Sequence, residues 1–143
     1  MFQVDIQRRG LDVRVVAAQL PAKIRDLLVN KVGAYAYAEM QRHAPSRTGK
    51  LRRSIRKRVH GAEVRIGPTE PYAIYVEEGT QPHEIVPVNA RALRFDVGGQ
   101  VVFAMHVNHP GTRPQPFVRE TAEETRKRVP YFFRQLIAEM EAW

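Results

Sequence analysis

The chain contains no cysteine, which excludes disulfides and thiolate metal ligands and fits synthesis in a reducing compartment. No apolar run approaches the roughly 20 residues needed to cross a bilayer. Met1-Phe2-Gln3-Val4-Asp5 lacks the basic-then-apolar plan of a secretory signal, so neither export by that route nor membrane insertion is expected. Catalytic signatures are missing too. No Gly-x-Ser-x-Gly elbow surrounds Ser46 or Ser54, and the glycines match neither a P-loop nor a dinucleotide fingerprint. There is no internal repeat and no low-complexity segment. Residues 41–62 hold no Asp or Glu at all.

That last absence locates the charge. Arg42, Arg47, Lys50, Arg52, Arg53, Arg56, Lys57 and Arg58 all lie between residues 41 and 62, and they account for the whole formal net charge of +8. The rest of the chain is neutral, so the molecule reads as a neutral body with one basic segment. Three uses stay open for that segment: tracking phosphates, docking an acidic protein surface, or plain solvation. It has no interleaved aromatic residues to stack bases, which counts against single-stranded nucleic acid. A hydrophobic fraction of 43% and a charged fraction of 27% over 143 residues suit one globular domain spanning 1–143.

Five histidines, His43, His60, His83, His106 and His109, share the chain with Glu77, Glu78 and Glu84. Their spacing fits no zinc protease or zinc finger, so no metal ligand is assigned. Glu77 and Glu78 are neighbours in sequence and point in different directions on a helix, which reads as helix surface rather than a catalytic pair. No catalytic residue and no cofactor are expected.

Hydrophobic period sets the elements. Phe2, Val4 and Ile6 alternate as a half-buried strand does. Residues 11–19 are ambiguous: Leu11, Val15 and Ala18 could share a helical face, while Val13, Val15 and Val16 favour extended backbone; a short helix is the expectation here. Pro21 suits the first position of a helix that runs to His43 and is stopped by Ala44-Pro45. Ile55, Lys57 and Val59, then Val64 and Ile66, read as a hairpin turning at Gly61-Ala62. Tyr72, Tyr75 and Val76 suggest a short helix with Gly79 just past its end. Residues 93–95 and 101–107 form a second hairpin around the loop at 96–100. Residues 109–116, His109-Pro110-Gly111-Thr112-Arg113-Pro114-Gln115-Pro116, read as an extended connector. A helix from Val118 closes the chain, kinked or restarted at Pro130. The class is α+β: an antiparallel or mixed sheet packed against a long N-terminal helix and a C-terminal helix, with extended loops.

Three blocks stand in order along the chain. The first is Ala44-Pro45-Ser46-Arg47-Thr48-Gly49-Lys50-Leu51-Arg52-Arg53-Ser54-Ile55. The second is Tyr72-Ala73-Ile74-Tyr75-Val76-Glu77-Glu78-Gly79-Thr80, and the third runs from His109 through Pro116 to Phe117. This series resembles the tail-component family of long-tailed bacteriophages, the neck or tail-completion proteins akin to minor tail protein Z of phage lambda. The resemblance implies a non-catalytic virion protein, made in the host cytoplasm and placed at the head–tail junction as a subunit of a homo-oligomeric ring. Its partners would be other neck and tail proteins. Such a ring uses head-to-tail interfaces.

A channel through which DNA slides should not grip phosphates with many arginines. The basic loop, Arg47, Lys50, Arg52, Arg53, Arg56, Lys57 and Arg58, is therefore expected to meet an acidic neighbouring ring, with DNA passing nearby but not specifically bound. An extended arm carrying His109, Arg113, Gln115 and Phe117 is expected to reach a neighbour, and Gly49, Gly79 and Gly111 to serve as turns or caps. Two competitors remain. One is a basic nucleic-acid-binding or nuclease-like protein using His106, His109 and Glu84. The other is an assembly factor absent from the mature particle.

Overall fold

The computed structural model describes residues 2–7, 11–18, 20–88 and 90–142. Its centre is a four-stranded antiparallel sheet of order β1-β2-β4-β3, built from β1 (Phe2–Gln7), β2 (Asp12–Ala17), β3 (Arg56–His60) and β4 (Glu63–Gly67). The segment expected as a short helix at 11–19 is the strand β2. It is paired on both sides, to β1 through Val4↔Val15 and to β4 through Val15↔Val64. The period of two explains the outcome: Val13, Val15 and Ala17 are fully buried on one face, and β-branched side chains suit a central strand. Sheet pairing outweighed the weaker helical spacing.

Two helices cover that apolar face. α1 (Ala22–His43) buries Leu28, Val29, Val32, Gly33, Ala36 and Met40. Pro21 lies one place earlier than expected, as the residue capping α1 rather than its first residue, and its carbonyl accepts the Arg25 amide at 2.9 Å. Ala44 leaves the helix in extended conformation, as the residue before a proline must. Gly33 lets the helix pack closely on β4. A methyl group there would sit 3.1 and 3.3 Å from the two methyls of buried Val64.

α4 (Phe117–Glu141) continues unbroken through Pro130, which is exposed. Proline removes one backbone bond there, and water can satisfy the freed carbonyl. On its inner side Thr121 and Thr125 are fully buried. Their hydroxyls donate to the carbonyls of Phe117 and Thr121, each at 2.7 Å, so neither is left without a partner.

Between the two helices lie α2 (Lys50–Arg53) and α3 (Ala73–Glu78), followed by a long excursion. The expected second hairpin is tighter than its sequence suggested: β6 (Leu93–Val97) and β7 (Gln100–Ala104) turn at Gly98-Gly99, where φ is 57° and 84°. The β-rich run then breaks at residues 105–106. Val107–His109 is a separate strand, β8, which pairs back onto β5 (His83–Ile85). A bridge between Thr80 and Thr112 closes the base. Residues 80–112 are thus one nested β-arm. His109, placed by sequence in an extended connector, belongs to that arm as a strand residue.

Candidate interaction surface

The first block folds as a loop and a single helical turn at the end of α1. Gly49, with φ of 79°, opens α2. Leu51, Ser54 and Ile55 are buried beneath it and anchor the loop to the core. Thr69 fastens it from the other side, its hydroxyl donating to the Ser54 carbonyl at 2.8 Å.

This geometry divides the basic residues into two kinds. Arg52 folds back: its guanidinium donates to the Ala44 carbonyl at 3.3 Å, its Nε is buried without a partner, and its own carbonyl accepts the Gln41 side-chain amide at 3.0 Å. Arg53 donates to the Thr48 carbonyl at 3.3 Å. Arg56 donates to the carbonyls of Arg53 at 2.5 Å and Ile55 at 3.1 Å. These three hold the loop's shape by bonding carbonyls at the end of α1, in the loop and around the end of α2. Lys50 lies 3.8 Å from Glu70, a weak surface pair. Arg47, Lys57 and Arg58 are exposed and form no ion pair with any described residue.

The charges are also split in space. β3 is an edge strand, and alternation sends Lys57 towards the helix side, next to Gly33, while Arg56 and Arg58 face the opposite side. On that uncovered side the registers align a row of Asp5, Arg14, Arg65 and Arg58 across all four strands. Arg14 pairs with Asp5 at 2.7 Å and with Glu63 at 3.5 Å. Its hydrogen bond holds the Asp5 carboxyl below the ordinary 3.8. Sequence reasoning missed Arg14 and Arg65 because both lie outside the basic segment. The alternation of Glu63 and Arg65 with buried Val64 and Ile66 was the available signal.

The second and third blocks clasp each other. Glu77, expected on the helix surface, is buried at 8% exposure. Its two oxygens accept the amides of Val118 at 2.8 Å and Arg119 at 3.0 Å, capping α4, which Pro116, the residue just before it, leaves without a side-chain cap. Burial pushes the Glu77 carboxyl up from its ordinary value and outweighs the opposing pull of the two amides. The Gln115 amide donates to the Val76 carbonyl at 2.9 Å, and Thr80 and Thr112 exchange backbone bonds of 3.1 Å. Gly79 sits at φ 72° and ψ 178°, a conformation open to glycine rather than the left-handed helical cap expected. A Cβ there would lie 2.6 Å from the Thr112 carbonyl oxygen and 2.8 Å from the Pro114 nitrogen. Gly111 likewise has a positive φ, 83°.

All three blocks meet at one small cleft of about 150 Å³, lined by Pro45, Leu51, Tyr72, Val76 and Gln115 among others. The arm assigned to the third block needs correction. Phe117 is 1% exposed and belongs to the core, because it starts the buried stripe of α4. Gln115 is a backbone staple. His109 stacks on His83 with ring centroids 4.8 Å apart and accepts the Gly111 amide at 3.0 Å. Of the four residues, Arg113 alone is exposed with no described partner. The element that projects is the β-arm, where Val88, Phe103 and Met105 are 87%, 67% and 68% exposed. Among the described residues no cluster of three or more His, Asp or Glu could hold a metal, and no helix is long and apolar enough to cross a membrane.

Residues 14–79 match the model of the HK97-gp10-like family, described as "Bacteriophage HK97-gp10, putative tail-component". The match takes in the first block and the second as far as Gly79, and it ends where the β-arm begins. The resemblance to phage tail components therefore holds over this span, which points to a structural tail protein with other tail proteins as partners and the virion as its place. No curated protein and no solved structure matches the chain.

Proposed function

We propose that the chain is a structural subunit of the phage neck, joining head to tail or completing the tail as one member of a closed ring, with no catalytic role. The family match over residues 14–79 carries this reading. The clasp between blocks supports it. α3, the arm base and α4 are tied by Glu77, Gly79 and the Val76–Gln115 bond, which gives a firm frame from which a loop and an arm reach outward. The loop presents Arg47 and Lys50 to an acidic neighbouring ring. Among the described residues the basic segment is divided between a loop end and two sheet faces, which favours a protein neighbour over a duplex tracked by one run of phosphate contacts.

The test is to disrupt the gene in its phage and image the lysate. Filled heads beside unjoined tails, or tails of faulty length, are the expected result. Normal infectious particles would overturn the proposal.

A further inference from the structure

The projecting hairpin β6–β7 is a two-stranded ribbon that packs chiefly on itself. Such a ribbon is marginal alone in water and gains from a third strand. β6 leaves one edge unpaired among the described residues, and its sequence is Leu93-Arg94-Phe95-Asp96-Val97. We propose that this edge pairs antiparallel with the same edge of a second copy, giving a two-fold dimer with a four-stranded arm.

The register follows from backbone alternation. The turn Gly98-Gly99 makes Val97 and Gln100 the closing pair of a two-residue hairpin, which is a hydrogen-bonded pair. Leu93, Phe95 and Val97 therefore turn their backbone groups towards β7, and Arg94 and Asp96 turn theirs to the open edge. Only registers that oppose these outward residues can form a ladder. Arg94 opposite the partner's Arg94, or Asp96 opposite the partner's Asp96, sets like charges face to face, which is destabilising. The remaining central register places Arg94 opposite the partner's Asp96, and Asp96 opposite the partner's Arg94, with Phe95 on the two-fold axis.

Charge complementarity thus selects one pairing, and its occupant is a copy of this chain. The same face adds apolar support. Arg94 is opposite Phe103 and Asp96 is opposite Val101, and these two are 67% and 45% exposed in the single chain. The four-stranded arm flanks each ion pair with them. Because the contact is two-fold, it differs from the head-to-tail contacts of a ring. It stands or falls independently of the tail assignment.

Light scattering on the full chain at roughly 100 μM, a concentration that populates micromolar complexes, is expected to give the mass of two chains. R94D and D96R each turn two attractive pairs into two repulsive ones, and each is expected to weaken association on the order of tenfold or more. The double variant R94D/D96R restores the pairs and the dimer. A monomeric wild type, single variants that remain dimeric, or a double variant that stays monomeric would each overturn the proposal.

A second measurement covers the case of misfolded variants. The chain has no cysteine, so Phe95→Cys under mild oxidation can bridge only residue 95 to its copy. Non-hydrogen-bonded partners lie about 4.5 Å apart at Cα, within disulfide range. Rapid covalent dimer from F95C, but not from V101C on the far strand, is the expected outcome. Equal bridging of both refutes the register.

Discussion

Replacing Glu77 by alanine tests the clasp directly. The substitution strips the cap from α4 and leaves the amides of Val118 and Arg119 without acceptors, the first in a buried position and the second part-buried. Losing a helix cap costs about 0.5–2 kcal/mol, and a buried orphaned amide costs about 1–3 kcal/mol. Water reaches the Arg119 amide more easily, so the combined loss is about 2–3 kcal/mol. For a chain of this size that corresponds to a fall in Tm of roughly 5–10 °C. Glu77→Gln keeps one acceptor oxygen and is expected near half that loss at neutral pH.

The pH dependence adds a sign. Burial raises the Glu77 pKa above its ordinary 4.5, so the folded state holds the proton in a window where the unfolded state has released it. Its contribution is then full below about 4.5 and declines as pH rises through the folded value. The advantage of wild type over E77Q should therefore be larger at low pH than at neutral pH. Urea unfolding of the three proteins across that range measures all of this. An E77A variant within about 0.5 kcal/mol of wild type, the size of an ordinary surface change, would refute the capping argument.

Other perturbations act at separate places. Asp5→Asn should flatten the acid limb of the stability curve. The Arg14 bond holds Asp5 below 3.8, so its contribution is present above that value and is lost as pH falls through the folded pKa. Gly79→Ala forces a Cβ onto the backbone of Thr112 and Pro114. Adding about 1–3 kcal/mol of backbone strain, it should make residues 80–112 cleave faster in limited proteolysis while the sheet stays folded. Phe117→Ala empties a fully buried site and should cost about 3–5 kcal/mol in chemical denaturation. Charge reversal separates the basic residues: R52E should lower Tm, whereas a combined R47E/K50E/R58E change should leave Tm within a few degrees and reduce joining of heads to tails in a complementation assay. Unimpaired joining by that triple variant would remove the docking role.

Much of the body was legible because its elements repeat strong local patterns. α1 spans enough turns for its spacing to be unmistakable, and Pro45 marks its end. The β3–β4 hairpin alternates cleanly around a glycine at φ 60°. β2 was misread because six residues hold too few periods to separate 2.0 from 3.6, and only its two partner strands decide the matter. β5 and β8 are three residues each and exist by pairing across the arm, which no local window reveals. Glu77 was misread for a related reason. Its partners lie about 40 positions away, at the start of α4, so nothing near it in sequence distinguishes a buried cap from an exposed carboxylate.

The basic segment shows how a concentration along the chain can dissolve in space. In sequence it is one uninterrupted run, but the fold sends Arg52, Arg53 and Arg56 to loop carbonyls, Lys57 to one face of the sheet, and Arg58 to the other. Part of the run has a purely structural use, since charged side chains on an exposed edge strand discourage pairing with other chains. β3 is so protected by charges of one sign, Arg56, Lys57 and Arg58, whereas β6 carries Arg94 and Asp96, one of each sign. Like signs repel an identical strand, whereas opposite signs on alternate residues complement one. The contrast assigns the two edges opposite roles: the body's β3 edge is kept solvated, and the arm is where a second chain adds its strand.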